Sequence, residues 1–369
     1  MSDKPVSRRK FLKYVVGGAV VAVGAGTVGY LVRNSAPSPP TNSTQQVVTE
    51  IVTNTQSVTN TQSKPVEFGV TMFGFHDEGA WDPNAYAQLI TLKDNYKIDI
   101  HLYEEVGLTD INRILTLGAG TDDIIWAHSY SYADAVKAVA ANFPTKYFLA
   151  EDFASRPDYF TPNVVAIGQT PHEAYYLCGA LSAKMSTSKK LGYVHNIEEP
   201  FSTSWANAYK QGALYAEPSA TVTRVVIGNF VDPVKTRDAV DAMAASGVDA
   251  IFNTMDDFSA IYEAQAKNIY ACQAYYDATY KAPDTIIANG VWNFSAILNK
   301  VTAAVVGNTW ASLRQNSFYN PLSLKDGSLT LGTYGNKVTS DDQNYIEQLK
   351  QQIISGQVVV NTNETTWTP

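Results

Sequence analysis

The chain has 369 residues, 45% of them hydrophobic and 17% charged, with a formal net charge of −8. That length exceeds one ordinary domain, the apolar share can fill large cores, and the negative balance speaks against nucleic acid and anionic lipid as partners. Two cysteines, Cys178 and Cys272, and five histidines at 76, 101, 128, 172 and 195 form no CxxC and no metal-ligand spacing, so no metal and no cofactor is expected.

The first element is an address. Arg8, Arg9, Lys10 and Lys13 precede an uncharged, largely apolar stretch over 14–32. Basic, then apolar, then polar is the layout of an export signal, and Arg8-Arg9 followed by Phe11-Leu12 resembles a twin-arginine signal. The stretch is close to the ~20 residues that span a bilayer. No small-residue cleavage site is evident, and no cysteine for a lipid anchor occurs before Cys178. Residues 1–33 are therefore expected to export the chain and hold it to the cell membrane, with the rest outside. A cleaved signal is the alternative.

Residues 34–65 are rich in Ser, Thr, Asn, Gln and Pro, and the hexamer Val-Thr-Asn-Thr-Gln-Ser occurs at 52–57 and again at 58–63. Such a segment cannot bury enough apolar surface to offset its chain entropy, so it reads as a stalk. Asn42-Ser43-Thr44 is a glycosylation sequon, as are Asn293-Phe294-Ser295 and Asn363-Glu364-Thr365.

From residue 66 the pattern alternates. Strands are expected over 66–73, 98–104, 123–127, 146–149, 164–167, 190–194, 221–227, 250–253, 270–273 and 285–288. Helices are expected over 131–142, 171–185, 202–216, 233–246, 258–267 and 341–356. Helix 171–185 carries Cys178, which reads as a buried free thiol, with a Cys178–Cys272 bridge left open. The βαβα rhythm predicts an α/β fold with parallel sheets covered on both faces, and ten strands suffice for two doubly wound sheets. The last residues, 357–369, read as a polar tail.

Ligands of doubly wound sheets bind beyond the carboxyl ends of the strands. Those positions are unusually aromatic and acidic here. They include Phe75 to Trp81, His128 to Tyr132, His195 to Phe201, Thr254 to Asp257, Tyr275 to Asp277 and Asn289 to Trp292. Aromatic faces hold planar rings, and carboxylates accept their N–H and O–H groups.

The blocks Asp77-Glu78-Gly79-Ala80-Trp81, Asp123 to Tyr132, Glu173 to Ala183, Ser188 to Val194, Asn207 to Ala213, Phe230-Val231-Asp232-Pro233 and Gly247 to Phe252 together resemble the basic membrane protein family of ABC-transporter substrate-binding proteins. The resemblance covers 66–306. The spacing from Asp277 through Pro283 to Trp292 resembles the branch associated with purine bases. It implies a type I periplasmic-binding-protein fold: two Rossmann-like lobes joined by crossover segments and closing on a ligand. The lobes are expected at 66–188, completed by about 289–356, and at 189–288. It further implies a purine base or nucleoside as ligand, and an ABC permease and ATPase as partners. By the same resemblance Trp81, Tyr130 or Tyr132, Asp256, Asp277 and Trp292 are ligand-binding residues, with Phe201 a weaker match. A glycan on Asn293 would obstruct such a cleft, so that sequon is expected to be unused.

Two rival roles use the same residues. A nucleoside hydrolase would employ Asp256 or Asp277 on a glycosidic bond, yet no GxSxG, HExxH, P-loop or GxGxxG accompanies them, and no catalytic residue is assigned. A ligand-sensing surface receptor without transport would share the fold.

Overall fold

The structure, a computed structural model, describes residues 64–363 and 365–367. The expected signal or anchor over 1–33 and all but the last two residues of the stalk lie outside them. The described residues all fall within one compact unit.

The first sheet is built from β1 (Val66–Thr71), β2 (Ile98–Tyr103), β3 (Ile124–Ala127), β4 (Tyr147–Asp152), β5 (Val164–Gly168) and the late strand β11 (Tyr319–Pro321). Its order is β11-β5-β4-β3-β1-β2, with every neighbouring pair parallel. The second holds β6 (Lys190–His195), β7 (Thr221–Val226), β8 (Ala250–Asn253), β9 (Tyr270–Tyr275), β10 (Ile286–Trp292) and β12 (Leu329–Thr330). Its order is β12-β10-β9-β8-β6-β7, parallel except for β12 against β10. The two sheets repeat one winding, and each reverses direction about its first strand, β1 or β6. This is the type I periplasmic-binding-protein architecture, an α/β fold of two lobes with predominantly parallel sheets.

The helices are α1 (Trp81–Asn95), α2 (Ile111–Thr121), α3 (Ala133–Ala140), α4 (His172–Met185), α5 (Pro200–Ala216), α6 (Pro233–Ala245), α7 (Ser259–Lys267), α8 (Ser295–Val306), α9 (Trp310–Asn316) and α10 (Ser340–Ile354). The chain passes between the sheets three times: after β5 through α4, after β10 through α8 and α9, and between β11 and β12. The second sheet runs on to Trp292 and takes Leu329–Thr330 as its edge.

Helices α4 and α5 pack backbone to backbone. A Cβ on Gly179 would lie 1.9 Å from the Tyr209 carbonyl oxygen, and one on Gly212 would lie 1.8 Å from that of Tyr176. Only glycine permits this approach, and nearly the whole of α4 is buried. Cys178 on α4 and Cys272 on β9 are free, buried thiols in the same core.

The segment after α10 lies along α5. Gln211 and Asn361 exchange two hydrogen bonds of 3.0 Å, and the Arg224 guanidinium sits 5.0 Å from the Trp367 ring centre.

Candidate functional site

A cavity of about 280 Å³ opens between the lobes. The first lobe contributes Phe73 and Gly74 after β1, Trp81 at the start of α1, Ser129 and Tyr130 after β3, and Gln169 after β5. The second contributes Asn196 after β6, Phe201 and Trp205 on α5, residues 229–231 after β7, Thr254 and Asp256 after β8, Tyr275 closing β9 and Trp292 closing β10. Nearly every lining residue follows the carboxyl end of a strand, where a doubly wound sheet leaves its crevice.

The wall is mainly aromatic. Edge-on contacts link Trp81 to Trp292 at 5.0 Å, Trp292 to Trp205 at 5.5 Å, Trp205 to Phe201 at 5.0 Å and Phe201 to Tyr130 at 4.5 Å. Tyr275 meets Trp81 edge-on at 5.2 Å. It does so from a left-handed backbone, φ 71°, a conformation that costs a bulky residue energy and concentrates at functional sites. Its hydroxyl donates to the Thr254 carbonyl at 3.2 Å.

Trp81 lies flat on His128, and the imidazole is fixed from behind. His128 Nδ1 is 2.7 Å from Glu151 Oε1, which also accepts Trp126 Nε1 at 3.0 Å, while Gln169 Nε2 donates to Glu151 Oε2. Burial pulls His128 down, but the Glu151 charge and hydrogen bond outweigh it, and the net shift is upward. Asp82, the second residue of α1, accepts the Gly74 amide at 2.8 Å on Oδ2 and leaves Oδ1 buried without a partner. Burial raises it above the ordinary carboxylate range.

Asp256 joins the lobes. Its Oδ1 accepts the Ala80 amide at 2.7 Å and the Trp81 amide at 2.6 Å. Its carboxyl keeps some access to the cavity but is otherwise enclosed by protein. That burial, with the Asp82 charge, pushes it up to about 7 against the pull of the two amides and His128.

Of the residues anticipated in the cleft, Trp81, Tyr130, Phe201, Asp256 and Trp292 come together at the cavity. Tyr132 does not line it. Its ring is fully buried in the first lobe, its hydroxyl donates to the Val106 carbonyl, and it stacks behind Phe73 at 4.7 Å. Asp277 does not line it either. Its Oδ1 accepts Thr279 N at 3.2 Å and Asn289 Nδ2 at 3.1 Å, and its Oδ2 accepts Thr333 N at 2.7 Å, so the carboxylate is spent on a turn. Asn293 donates to the Gly327 carbonyl and accepts Ser295 N, so its side chain too is engaged locally. Trp205 and Gln169 were missed. Trp205 stands one helical turn beyond Phe201, and Gln169 directly follows a strand, so spacing alone could have found both.

The family model described as ABC transporter substrate-binding protein PnrA-like (Bmp) matches residues 65–364. The chain belongs to that family. Among its relatives, basic membrane protein A of Borreliella burgdorferi is 23% identical over 80% of this chain and 87% of that protein. A purine-binding protein of Brucella abortus is 27% identical over 67% of each. A solute-binding protein of an ABC transporter system from Conexibacter woesei shares the fold, with a TM-score of 0.69 and 19% identity over 81% of this chain and 99% of that one. As a Bmp-family member the protein is an extracytoplasmic substrate-binding protein of an ABC system, a class that takes a small-molecule ligand and works with a permease and an ATPase.

Proposed function

We propose that the protein binds a purine base or nucleoside between its lobes and delivers it to an ABC importer. The observation that carries this reading is the aromatic chain from Trp81 to Tyr130, with Asp256 as the lining carboxylate. Flat heteroaromatic rings suit such walls, and each aromatic pair contributes about 0.5–1.5 kcal/mol beyond burial. The volume lies near the lower end of the ~300–1,000 Å³ of ligand pockets, which suits a ligand of one fused ring system better than a dinucleotide. The purine-binding relative supports the same ligand class.

In this reading Trp81, Tyr130, Phe201 and Trp292 pack on the ring, and Asp256 meets its polar edge. Several such contacts support micromolar binding, about 8 kcal/mol. The basic and apolar N-terminal segment exports the chain and tethers it to the membrane, which fractionation of cells would test. Trp81, Trp205 and Trp292 make intrinsic fluorescence a direct reporter of the site. Titration with adenine, hypoxanthine and their nucleosides should change that fluorescence saturably at micromolar concentration. A response to sugars or amino acids alone would discard the purine assignment.

A further inference from the structure

Ala80 and Trp81 belong to the first lobe, and Asp256 follows β8 in the second. They are 176 and 175 residues apart, yet one carboxylate oxygen takes both amides. These N–H groups open α1 and have no partner within the helix. An acceptor from the other lobe satisfies them and complements the helix dipole. Gly79 makes room for it. At φ +82° a Cβ there would lie 2.7 Å from the Asp256 carbonyl oxygen and 2.9 Å from its Oδ1. The two lobes thus approach backbone to backbone at this point, a contact that parting them would break.

We propose that Asp256 is the interlobe latch of this protein: Oδ1 fastens the second lobe to the start of α1, which sets the Trp81 ring over the cavity, and leaves Oδ2 to the ligand. It is a positioning residue as well as a lining one. The proposal rests on reading the cavity as the ligand site.

The latch carries a proton dependence. The titratable groups facing Asp256 are Asp82 on α1, His128 after β3 and Tyr275 at the end of β9. Closed, the carboxyl is pushed up to about 7 by burial and by Asp82. Open to solvent, it returns to an ordinary value near ~3.9. The closed state therefore binds the proton more tightly. Closure is favoured most below the ordinary value, and that advantage is lost as pH rises through the window up to about 7. When protonated, Oδ1 still accepts the two amides.

The test is an interlobe distance in the full-length protein, read by spin labels on Leu117→Cys and Tyr262→Cys, two exposed positions on opposite lobes. Without added ligand, the closed-to-open ratio of the wild type should fall roughly tenfold or more from pH 5 to pH 8. Asp256→Ala should be open at both pH values. Asp256→Asn, whose amide oxygen can accept both N–H groups, should remain closed with a flat pH profile, a pattern that general destabilisation would not produce. Gly79→Ala should wedge the lobes apart, and it decides the matter if circular dichroism finds Asp256→Ala unfolded. Asp256→Ala closing like the wild type, or a closed Gly79→Ala, overturns the latch; a pH-independent wild type overturns its proton coupling. Hypoxanthine that fails to close the wild type counts against the purine reading alone, because the ligand-free comparison still judges the latch.

Discussion

Trp81 lies flat against His128, with ring centres 4.4 Å apart and planes 6° from parallel. The tryptophan at the cavity is thereby braced on an imidazole that Glu151 holds from below at 2.7 Å, with all of Glu151 and His128 buried. Orientation of the wall and stability of the first lobe share one set of contacts.

Glu151→Gln tests that coupling. It breaks a buried pair and turns an amide toward a donor, which costs about 3–5 kcal/mol. The sign with pH follows from His128. Its raised value adds stability that is fully present below the ordinary ~6.5 and is lost as pH rises through the raised value. Urea unfolding of the variant should show a smaller penalty at pH 9 than at pH 6. An equal penalty at both would contradict the pairing.

Trp81→Ala and Asp277→Asn should separate binding from folding. The first removes a ring from the cavity wall, and ligand affinity should drop at least several-fold. The second weakens hydrogen bonds to Thr279, Asn289 and Thr333, for a stability loss of about 1–3 kcal/mol with affinity nearly unchanged. Calorimetric titration and denaturation of each variant check this. Loss of affinity in Asp277→Asn would return that residue to the ligand.

Acid lability should come partly from His172 and His195. Burial depresses both to about 4, with Arg224 adding to the effect at His195. A depressed histidine contributes stability that is present above its ordinary ~6.5 and lost as pH falls through that value toward 4, roughly 3 kcal/mol each. His172→Gln should flatten the fall in stability between pH 7 and pH 4. An unchanged slope would mean that other groups govern it.

The sequence made the first ten strands legible because most are covered on both faces and read as short apolar runs, while the partly exposed β2 and β7 alternate apolar with polar residues. Helix α1 was not legible: its buried positions include Asp82 and Asn84, so no apolar stripe marks it. Strands β11 and β12, three and two residues long, are too short to carry a pattern. At the site, the strand-end rule reached Trp81, Tyr130, Phe201, Asp256 and Trp292. It could not separate Tyr130 from Tyr132, which share one short turn (Tyr130–Tyr132) yet differ in burial. Nor could it see that backbone amides consume Asp277, because those partners lie up to 56 residues away.

Purine binding is tested most directly by thermal unfolding of the full-length protein against purine bases, nucleosides, sugars and amino acids. A ligand at 100 times its dissociation constant stabilises the folded state by about 2.7 kcal/mol. A purine base or nucleoside should shift the midpoint upward, and sugars or amino acids should produce no shift of that size. A shift confined to sugars or amino acids would contradict purine binding.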